Sequence, residues 1–163
     1  MPATEHTCRS IMTAQPVSIR RHESVDRALQ MLLQNKLLAL PVVDDEGRYF
    51  GMFQRSRLVA MLLPRIVQLE ERLPEVAKLL EIGFLTDTLD DVQERFRQVA
   101  SNPVGDYAQT DTPVLRPDTP IMNAVLFLYR MRTYLPVVDE PSGRLIGVVS
   151  TWDVLGRIAG DKI

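Results

Sequence analysis

Cysteine is nearly absent from the sequence, and long apolar runs are absent altogether. Cys8 is the only cysteine, so the chain cannot form an internal disulfide or gather several thiolates around a metal ion. No apolar run approaches the ~20 residues that cross a bilayer, and the N-terminus lacks the basic and then apolar pattern of a signal segment. We therefore expect a cytoplasmic protein with no membrane span and no metal site.

The sequence also lacks a concentration of positive charge. Its 19 Lys and Arg residues are scattered, and with 21 Asp and Glu residues the formal net charge is -2. Nothing in this distribution attracts a phosphate backbone over a broad face, which argues against a nucleic acid partner. With 45% hydrophobic and 25% charged residues, the chain has the composition of an ordinary globular protein.

A catalytic set of side chains is missing as well. The two histidines, His6 and His22, lie near the start of the chain, and the polar surroundings of His22 favour a solvated side chain. No acid, base and nucleophile stand at a meaningful spacing, and there is no glycine-rich phosphate loop or cluster of metal ligands. We therefore do not expect an enzyme.

What the sequence does contain is an internal repeat. The pentapeptide Leu-Pro-Val-Val-Asp occurs at residues 40–44 and again, letter for letter, at 135–139. Each copy follows an apolar-periodic segment and leads through an acidic turn to a Gly-Arg pair, a second glycine and another apolar segment. The matching glycines are Gly47 and Gly51 in the first copy and Gly143 and Gly147 in the second. The chain is a tandem duplication.

Each copy has the pattern strand, helix, strand, strand, helix. Ser24 precedes apolar residues at helical spacing, as an N-cap would, and the pentapeptide is typical of a strand packed on both sides. In the first copy we predict strands at 16–19, 40–43 and 49–53, with helices over 25–33 and 56–63. In the second copy we predict strands at 113–115, around 137–138 and at 145–149, with helices over 121–128 and 152–158.

Residues 65–103 have no counterpart within the repeats. Apolar residues recur there in steps of three and four, first over 66–80 and again over 89–99, which predicts two amphipathic helices. Thr88 and Asp91 resemble a capping box at the start of the second helix. We interpret these helices as a cover for exposed core or as an extension of a dimer interface. A dedicated site for a partner protein is the alternative.

These features resemble the cystathionine-β-synthase (CBS) domain, in the tandem pair called a Bateman module. The resemblance rests on the repeated pentapeptide, the acidic glycine turn, and a strand that ends in Gly-apolar-apolar-Ser/Thr-x-x-Asp before the last helix. It implies a mixed α/β (α+β) fold of two β-α-β-β-α repeats related by a pseudo-twofold axis, with a helical insertion between them. The expected boundaries are 7–64 for the first repeat, 65–103 for the insertion and 104–160 for the second repeat.

The second copy carries the family's ligand-binding motif in full, as Gly-Val-Val-Ser-Thr-Trp-Asp over residues 147–153. A carboxylate at Asp153, near a helix start, can accept hydrogen bonds from two vicinal ribose hydroxyls. Ser150 and Thr151 offer hydroxyls, and the helix N-terminus suits a phosphate. The same residues also make an ordinary helix N-cap. The local pattern alone favours the cap, whereas the family resemblance favours a nucleotide site.

The first copy departs from this motif. Gln54 stands where the second copy has Ser150, and Arg57 stands where it has Asp153. Arginine only donates hydrogen bonds, so ribose recognition should fail at the first site. Arg57 or Arg55 would suit the phosphates of a ligand held in the intact site, and two solvated surface arginines are the alternative.

Paired modules of this family draw each cleft from both repeats. By that resemblance, Val17, Leu37 and Leu38 of the first repeat form the adenine wall of the Asp153 cleft. Tyr134 and Val148 complete it from the second repeat. Apolar walls with polar contacts at one end suit a flat base on a hydroxylated sugar. From the sequence alone, Val17, Leu37 and Leu38 serve equally well as core.

The resemblance implies a regulatory module that senses an adenosine nucleotide (AMP, ADP or ATP) or S-adenosylmethionine in one cleft per chain. Such a module requires no cofactor. The resemblance also implies a homodimer that pairs through helices. The alternative from another class is a structural or interaction module with empty clefts, which binds a partner protein through residues 65–103. The degenerate first motif and the insertion favour the alternative, whereas the intact second motif favours sensing.

Overall fold

The computed structural model describes residues 6–65, 67, 75, 78 and 86–160 of the chain. Most of the first helix predicted in the insertion, over 66–80, lies outside these residues. A short 3-10 helix, Cys8–Ser10, comes first, and another, Val104–Tyr107, follows the insertion. The strands and helices are β1 (Thr13–Ala14), β2 (Ile19–Arg20), α1 (Val25–Asn35), β3 (Ala39–Val43), β4 (Tyr49–Gln54), α2 (Arg55–Leu62), α3 (Leu89–Val99), α4 (Ile121–Met131), β5 (Leu135–Val138), β6 (Leu145–Val149) and α5 (Thr151–Ala159).

Two three-stranded sheets form the centre of the fold. One has the order β2-β3-β4, with β2 parallel and β4 antiparallel to β3, and the other has the order β1-β6-β5. All five residues of β3 are buried, which confirms that the first pentapeptide is a strand packed on both sides. The mixed α/β fold of two repeats is as predicted.

The first strand of each repeat is shorter than predicted. The strand expected at 16–19 is reduced to Ile19–Arg20, and the one expected at 113–115 is a single parallel bridge between Leu115 and Val137. The strand prediction for 113–115 is therefore wrong. Pro113 has no N–H to donate, so hydrogen bonding there is confined to the two bonds made by the N–H and the carbonyl of Leu115.

Helix α1 starts at the predicted cap. The Ser24 hydroxyl accepts from the Arg27 N–H at 3.1 Å, and the N–H groups of Val25 and Asp26 donate to backbone carbonyls at the end of the insertion. These bonds satisfy donors that a helix start leaves free. The predicted capping box of Thr88 and Asp91 is also present, at the start of α3. It lowers the pKa of the Asp91 carboxyl, because the Thr88 N–H and hydroxyl donate to the ionised form.

Helix α3 packs against α2 on the outside of the first repeat. Phe96 lies against the first core, and the Arg95 guanidinium donates to the Leu62 carbonyl at 3.1 Å and pairs with Asp87. The described part of the insertion is therefore a cover for the helices of the first repeat, in line with the first of the two interpretations.

The segment that opens each repeat packs into the core of the other repeat. Cys8 and Ile11 are buried in the core of the second repeat, whereas Val104 is buried in the core of the first. Burial raises the pKa of the Cys8 thiol to about 11, so the thiol stays protonated and unreactive at neutral pH. Because the exchange is reciprocal, the repeats are related by an approximate twofold axis.

The segment that follows each exchanged opening crosses the last strand of the other repeat. Strand β1 pairs antiparallel with β6, and Gln109 bridges to Met52 on β4 in the same way. A Cβ atom on Gly51 would lie 2.7 Å from the Gln109 carbonyl oxygen, and one on Gly147 would lie 3.1 Å from the Thr13 carbonyl oxygen. At Gly51 the crossing backbone therefore excludes a side chain, whereas at Gly147 the nearest atom is the Met12 sulfur, 2.6 Å from an added Cβ.

The acidic turns of the two repeats meet on the same axis. Gly47 and Gly143 have φ values of +81° and +72°, a conformation that glycine adopts without strain. The Tyr49 N–H donates to the Gly143 carbonyl at 2.9 Å, and the Leu145 N–H donates to the Gly47 carbonyl at 3.1 Å. The Gly-Arg pairs seen in the sequence thus join the repeats to each other.

Replacing Gly51 with alanine should destabilise the protein by about 2 kcal/mol, because the new methyl group overlaps a backbone carbonyl that cannot turn aside. Gly156→Ala is the matched control, because Gly156 lies in α5 and no atom of the described residues comes within 4 Å of the added Cβ. That change should stabilise the helix by up to about 1 kcal/mol. Chemical denaturation measures both. Equal stability of wild type and Gly51→Ala would contradict the crossing at Gln109.

Candidate ligand-binding site

A cavity of about 190 Å³ opens between the two repeats at the start of α5. Its walls are Thr13, Pro16, Val17, Leu37, Ala39, Pro41, Tyr134, Val148, Ser150 and Asp153. Residues of both repeats are present because β1 crosses β6 and brings its own repeat against the second motif. The polar side chains lie mainly where α5 begins, and the other walls are largely apolar.

Asp153 is held at the polar end by two separate sets of donors. Its Oδ2 atom accepts from the Ser150 N–H at 2.6 Å and from the Ser150 hydroxyl at 2.9 Å, in a capping box. Its Oδ1 atom accepts from the Thr13 hydroxyl at 3.0 Å, across 140 residues of sequence. The ordinary N-cap interpretation is therefore correct as local structure. The same carboxylate also faces a cavity.

These bonds limit what Asp153 can still accept. A carboxylate has about four acceptor positions, and Ser150 and Thr13 occupy three of them. One position remains for a ligand hydroxyl. A second vicinal hydroxyl would either displace Thr13 from Oδ1 or donate to the Thr13 oxygen, which itself has free lone pairs. The site can thus hold a vicinal diol only if Thr13 takes part.

The structure brings together six of the ten residues predicted from the sequence. Val17, Leu37, Tyr134, Val148, Ser150 and Asp153 line the cavity. Thr151 begins α5 with an exposed side chain and is not among the lining residues. Leu38 and Arg55 line a different cavity, described below, and Arg57 is exposed and lines neither. Of the two leucines predicted for the adenine wall, Leu37 lines this cavity and Leu38 lines the other one.

Sequence reasoning missed four lining residues, namely Thr13, Pro16, Ala39 and Pro41. Pro41 belongs to the repeated pentapeptide and follows the predicted Leu37 by only four residues, so the sequence could have indicated that it lines the same cavity. Thr13 carried no local signal, because its partner Asp153 is 140 residues away. Only the exchange of opening segments brings the two side chains within hydrogen-bonding distance.

The corresponding cavity of the first repeat has different chemistry. It measures about 360 Å³ and is lined by Leu38, Gln54, Arg55, Ser56, Val59, Arg132 and Thr133. The two cavities share a wall, since Leu37 and Tyr134 line the first, and the adjacent Leu38 and Thr133 line the second. The Leu38 N–H donates to the Tyr134 hydroxyl at 3.3 Å across this wall.

The comparisons with known proteins agree with this architecture. The family model for the CBS domain matches the chain twice, at residues 8–63 and 104–160. The chain belongs to the CBS domain family. The two matched regions confirm the tandem pair that was expected from the repeated pentapeptide.

Among curated relatives, an uncharacterized protein of Methanocaldococcus jannaschii is 24% identical over 86% of this chain and 84% of its own length. The chloroplastic CBS domain-containing protein CBSX2 of Arabidopsis thaliana is 27% identical over 84% of this chain. That alignment covers 56% of CBSX2, so the chain spans about half the length of the plant relative.

Solved CBS pairs share the fold. A crystal structure of CBSX2 from Arabidopsis thaliana aligns with a TM-score of 0.74 at 24% identity, over 96% of this chain and 96% of that chain. A crystal structure of CBSX2 in complex with AMP aligns with a TM-score of 0.69, also at 24% identity, over 97% of this chain and 99% of that chain. The CBS pair of protein MJ0100, in complex with 5'-methylthioadenosine and S-adenosyl-L-methionine, has a TM-score of 0.61 at 16% identity and covers 96% of this chain and 98% of that chain. At these identities the comparison establishes the fold.

Two further features concern the part of the chain that the structure describes. Within it, no three or more His, Cys, Asp or Glu side chains are grouped so that they could hold a metal ion. Within it also, no helix is both long enough and apolar enough to span a bilayer.

Removing the cap of α5 should cost more than removing its counterpart on α2. Ser150→Ala deletes a hydroxyl that bonds the N–H of Asp153, so the free energy of unfolding should fall by about 1 kcal/mol. Gln54→Ala is the matched control, because Gln54 is the N-cap residue of α2 without a side-chain capping bond. Urea denaturation compares the two variants. Equal losses would contradict the assigned difference in capping.

Proposed function

We propose that this CBS pair is a regulatory module that binds an adenosine-containing ligand in the Asp153 cavity, one ligand per chain. The observation that carries the proposal is the position of the Asp153 carboxylate, beside the Thr13 hydroxyl, at the polar end of a mainly apolar cavity. A carboxylate and a hydroxyl suit a ribose diol, and apolar walls suit a flat purine base.

The charge of the lining residues favours particular adenosyl ligands. Among the described residues that line this cavity, Asp153 is the only charged one, and none is an arginine or a lysine. The Ser150 hydroxyl and the Asp153 carboxylate already cap the helix start. A triphosphate would therefore meet no cation, so AMP or S-adenosylmethionine fits better than ADP or ATP. The earlier expectation that Arg55 or Arg57 contacts ligand phosphates in this cavity has no support from their positions.

A ligand bound in this cavity can regulate the protein because the walls of the cavity come from both repeats. A ligand in the cavity touches both repeats, because Val17 and Leu37 come from the first and Val148 and Asp153 from the second. A ligand shifts a conformational equilibrium only if it binds one state more tightly than the other. Contacts to both repeats provide that difference whenever the repeats change their relative position.

Binding should depend on Asp153. Titration calorimetry with AMP, ADP, ATP and S-adenosylmethionine should find one site per chain in the wild type. Asp153→Asn keeps the size of the side chain but removes the charged acceptor, so the affinity should fall roughly 10- to 100-fold. Arg57→Ala, at the equivalent position of the first repeat, is the matched control and should bind as the wild type does.

Two outcomes would count against the proposal in different ways. If none of the four compounds binds the wild type, the sensing function fails, and the alternative of an interaction module acting through residues 65–103 gains support. If a compound binds wild type and Asp153→Asn equally well, sensing stands but the cavity has been wrongly assigned.

We also propose that the chain forms a homodimer through α4 and α5. Six large apolar side chains on these two helices are between 45% and 84% exposed, namely Met122, Leu126, Tyr129, Trp152, Leu155 and Ile158. The helices contact each other, so their exposed side chains can form one patch. The first repeat differs, because α3 packs against α2 there. Apolar patches of this kind are typical of protein interfaces, and a self-complementary patch gives a twofold dimer.

Trp152→Glu should shift the dimer towards monomer, because a carboxylate placed in an apolar interface loses its hydration. We expect the dissociation constant of the dimer to rise at least about tenfold, as measured by sedimentation equilibrium. Leu33→Glu, on α1 of the first repeat, is the matched control, since Leu33 is 68% exposed outside this patch. A monomeric wild type, or dissociation by Leu33→Glu alone, would contradict the assigned interface.

A further inference from the structure

The first repeat has a helix face that is the counterpart of the apolar patch on α4 and α5. Helices α1 and α4 both end at a left-handed residue, Lys36 and Arg132, and helices α2 and α5 both follow an N-cap residue, Gln54 and Ser150. Counting from these residues aligns the two faces position by position. The residues Asp26, Gln30, Leu33, Ser56, Val59 and Leu62 take the places of Met122, Leu126, Tyr129, Trp152, Leu155 and Ile158.

Half of these positions are polar in the first repeat. Asp26, Gln30 and Ser56 stand where the second repeat has two aliphatic side chains and a tryptophan. The Gln30 amide donates to the Asp26 carboxylate at 3.0 Å at the surface of α1. A partner that covered these groups would remove them from water, which costs free energy. This part of the face is therefore unsuited to an apolar contact.

Helix α3 shields much of the apolar remainder. Leu62 is half-buried, whereas Ile158, its equivalent on α5, is 77% exposed. The Arg95 guanidinium donates to the Leu62 carbonyl at 3.1 Å and also pairs with Asp87. Phe96 of α3 packs against the first core. The difference between the two equivalent positions thus follows from the packing of α3 on α2.

The cover extends from α2 to α1. A groove of about 410 Å³ is lined by Leu29 of α1 and by Leu58 and Leu62 of α2, with Val92 and Phe96 of α3 on its other side. None of the 11 residues of α3, all of which the structure describes, is itself buried. Helix α3 therefore lies on the first repeat as an outer layer, and its detachment should leave both cores folded.

We propose that α3 shields the first repeat from self-association, so that copies of the chain pair only through α4 and α5. Without α3, the apolar side chains of Leu29, Leu58 and Leu62 would be uncovered on the same two helices that already expose Leu33 and Val59. An apolar surface of this size is typical of an interface. A chain with two self-complementary surfaces can pair twice and so assemble beyond a dimer. The proposal rests on the homodimer proposed above for the identity of the partner, which is a second copy.

Detachment of α3 is best tested in full-length Trp152→Glu, in which the patch on α4 and α5 is disrupted. Adding Phe96→Glu places a carboxylate where α3 meets the first core, so α3 should separate from α2. The dissociation constant for self-association, measured by sedimentation equilibrium, should then fall at least about tenfold relative to Trp152→Glu alone. Leu89→Glu is the matched control, because Leu89 lies on the same helix and is 73% exposed.

A third substitution tests which surface the new contact uses. Val59 is 53% exposed on α2, so Val59→Glu should abolish the association that Phe96→Glu produces. Circular dichroism checks that each variant is folded. If Phe96→Glu is unfolded, Arg95→Ala takes its place, because it removes only the bonds to Leu62 and Asp87 and should act in the same direction.

The outcomes separate the shield from the dimer. A monomeric wild type would overturn the interface on α4 and α5, whereas the shield is judged by comparing Phe96→Glu with its Trp152→Glu parent. Unchanged self-association of a folded variant with α3 detached would overturn the shield. Association that persists with Val59→Glu, or that Leu89→Glu produces to the same degree, would also overturn it.

Discussion

The close crossing of backbones at Gly51 and Gly147 is the constraint on which the rest of this structure depends. At each glycine, a segment from one repeat passes over the last strand of the other, and an added Cβ would lie 2.7 Å from a backbone oxygen at Gly51 and 3.1 Å from one at Gly147. The crossings place Cys8 and Val104 in the core of the opposite repeat. Neither core is complete without the other repeat, so the two sequence repeats form one structural unit.

The same crossing creates the candidate site. Strand β1 lies against β6, so Thr13 reaches the Asp153 carboxylate and the apolar side chains near Val17 close the wall. A capping box, which by itself is only a stable helix start, thereby becomes the polar end of a cavity. One residue serves both roles because a carboxylate has more acceptor positions than a cap requires.

Duplication gave two cavities with the same backbone and opposite charge. The pentapeptide strands, the turn glycines and the crossing glycines match in both repeats, because each is needed for packing or for backbone conformation. The residues at the start of the last helix are free of those demands, and there Ser150 and Asp153 are replaced by Gln54 and Arg57. The shared wall at Leu38 and Tyr134 places the two different cavities side by side.

The sequence by itself determined the duplication, the order of most helices and strands, the capping residues at Ser24 and Thr88, and the difference between the two motifs. These follow from local spacing and from residue chemistry, which act over a few positions. Only the tertiary structure decided that Thr13 joins Asp153, that Leu37 and Leu38 face different cavities, and that Arg55 lies away from the predicted site. Those facts depend on which distant backbones cross, and that depends on the burial of both cores together.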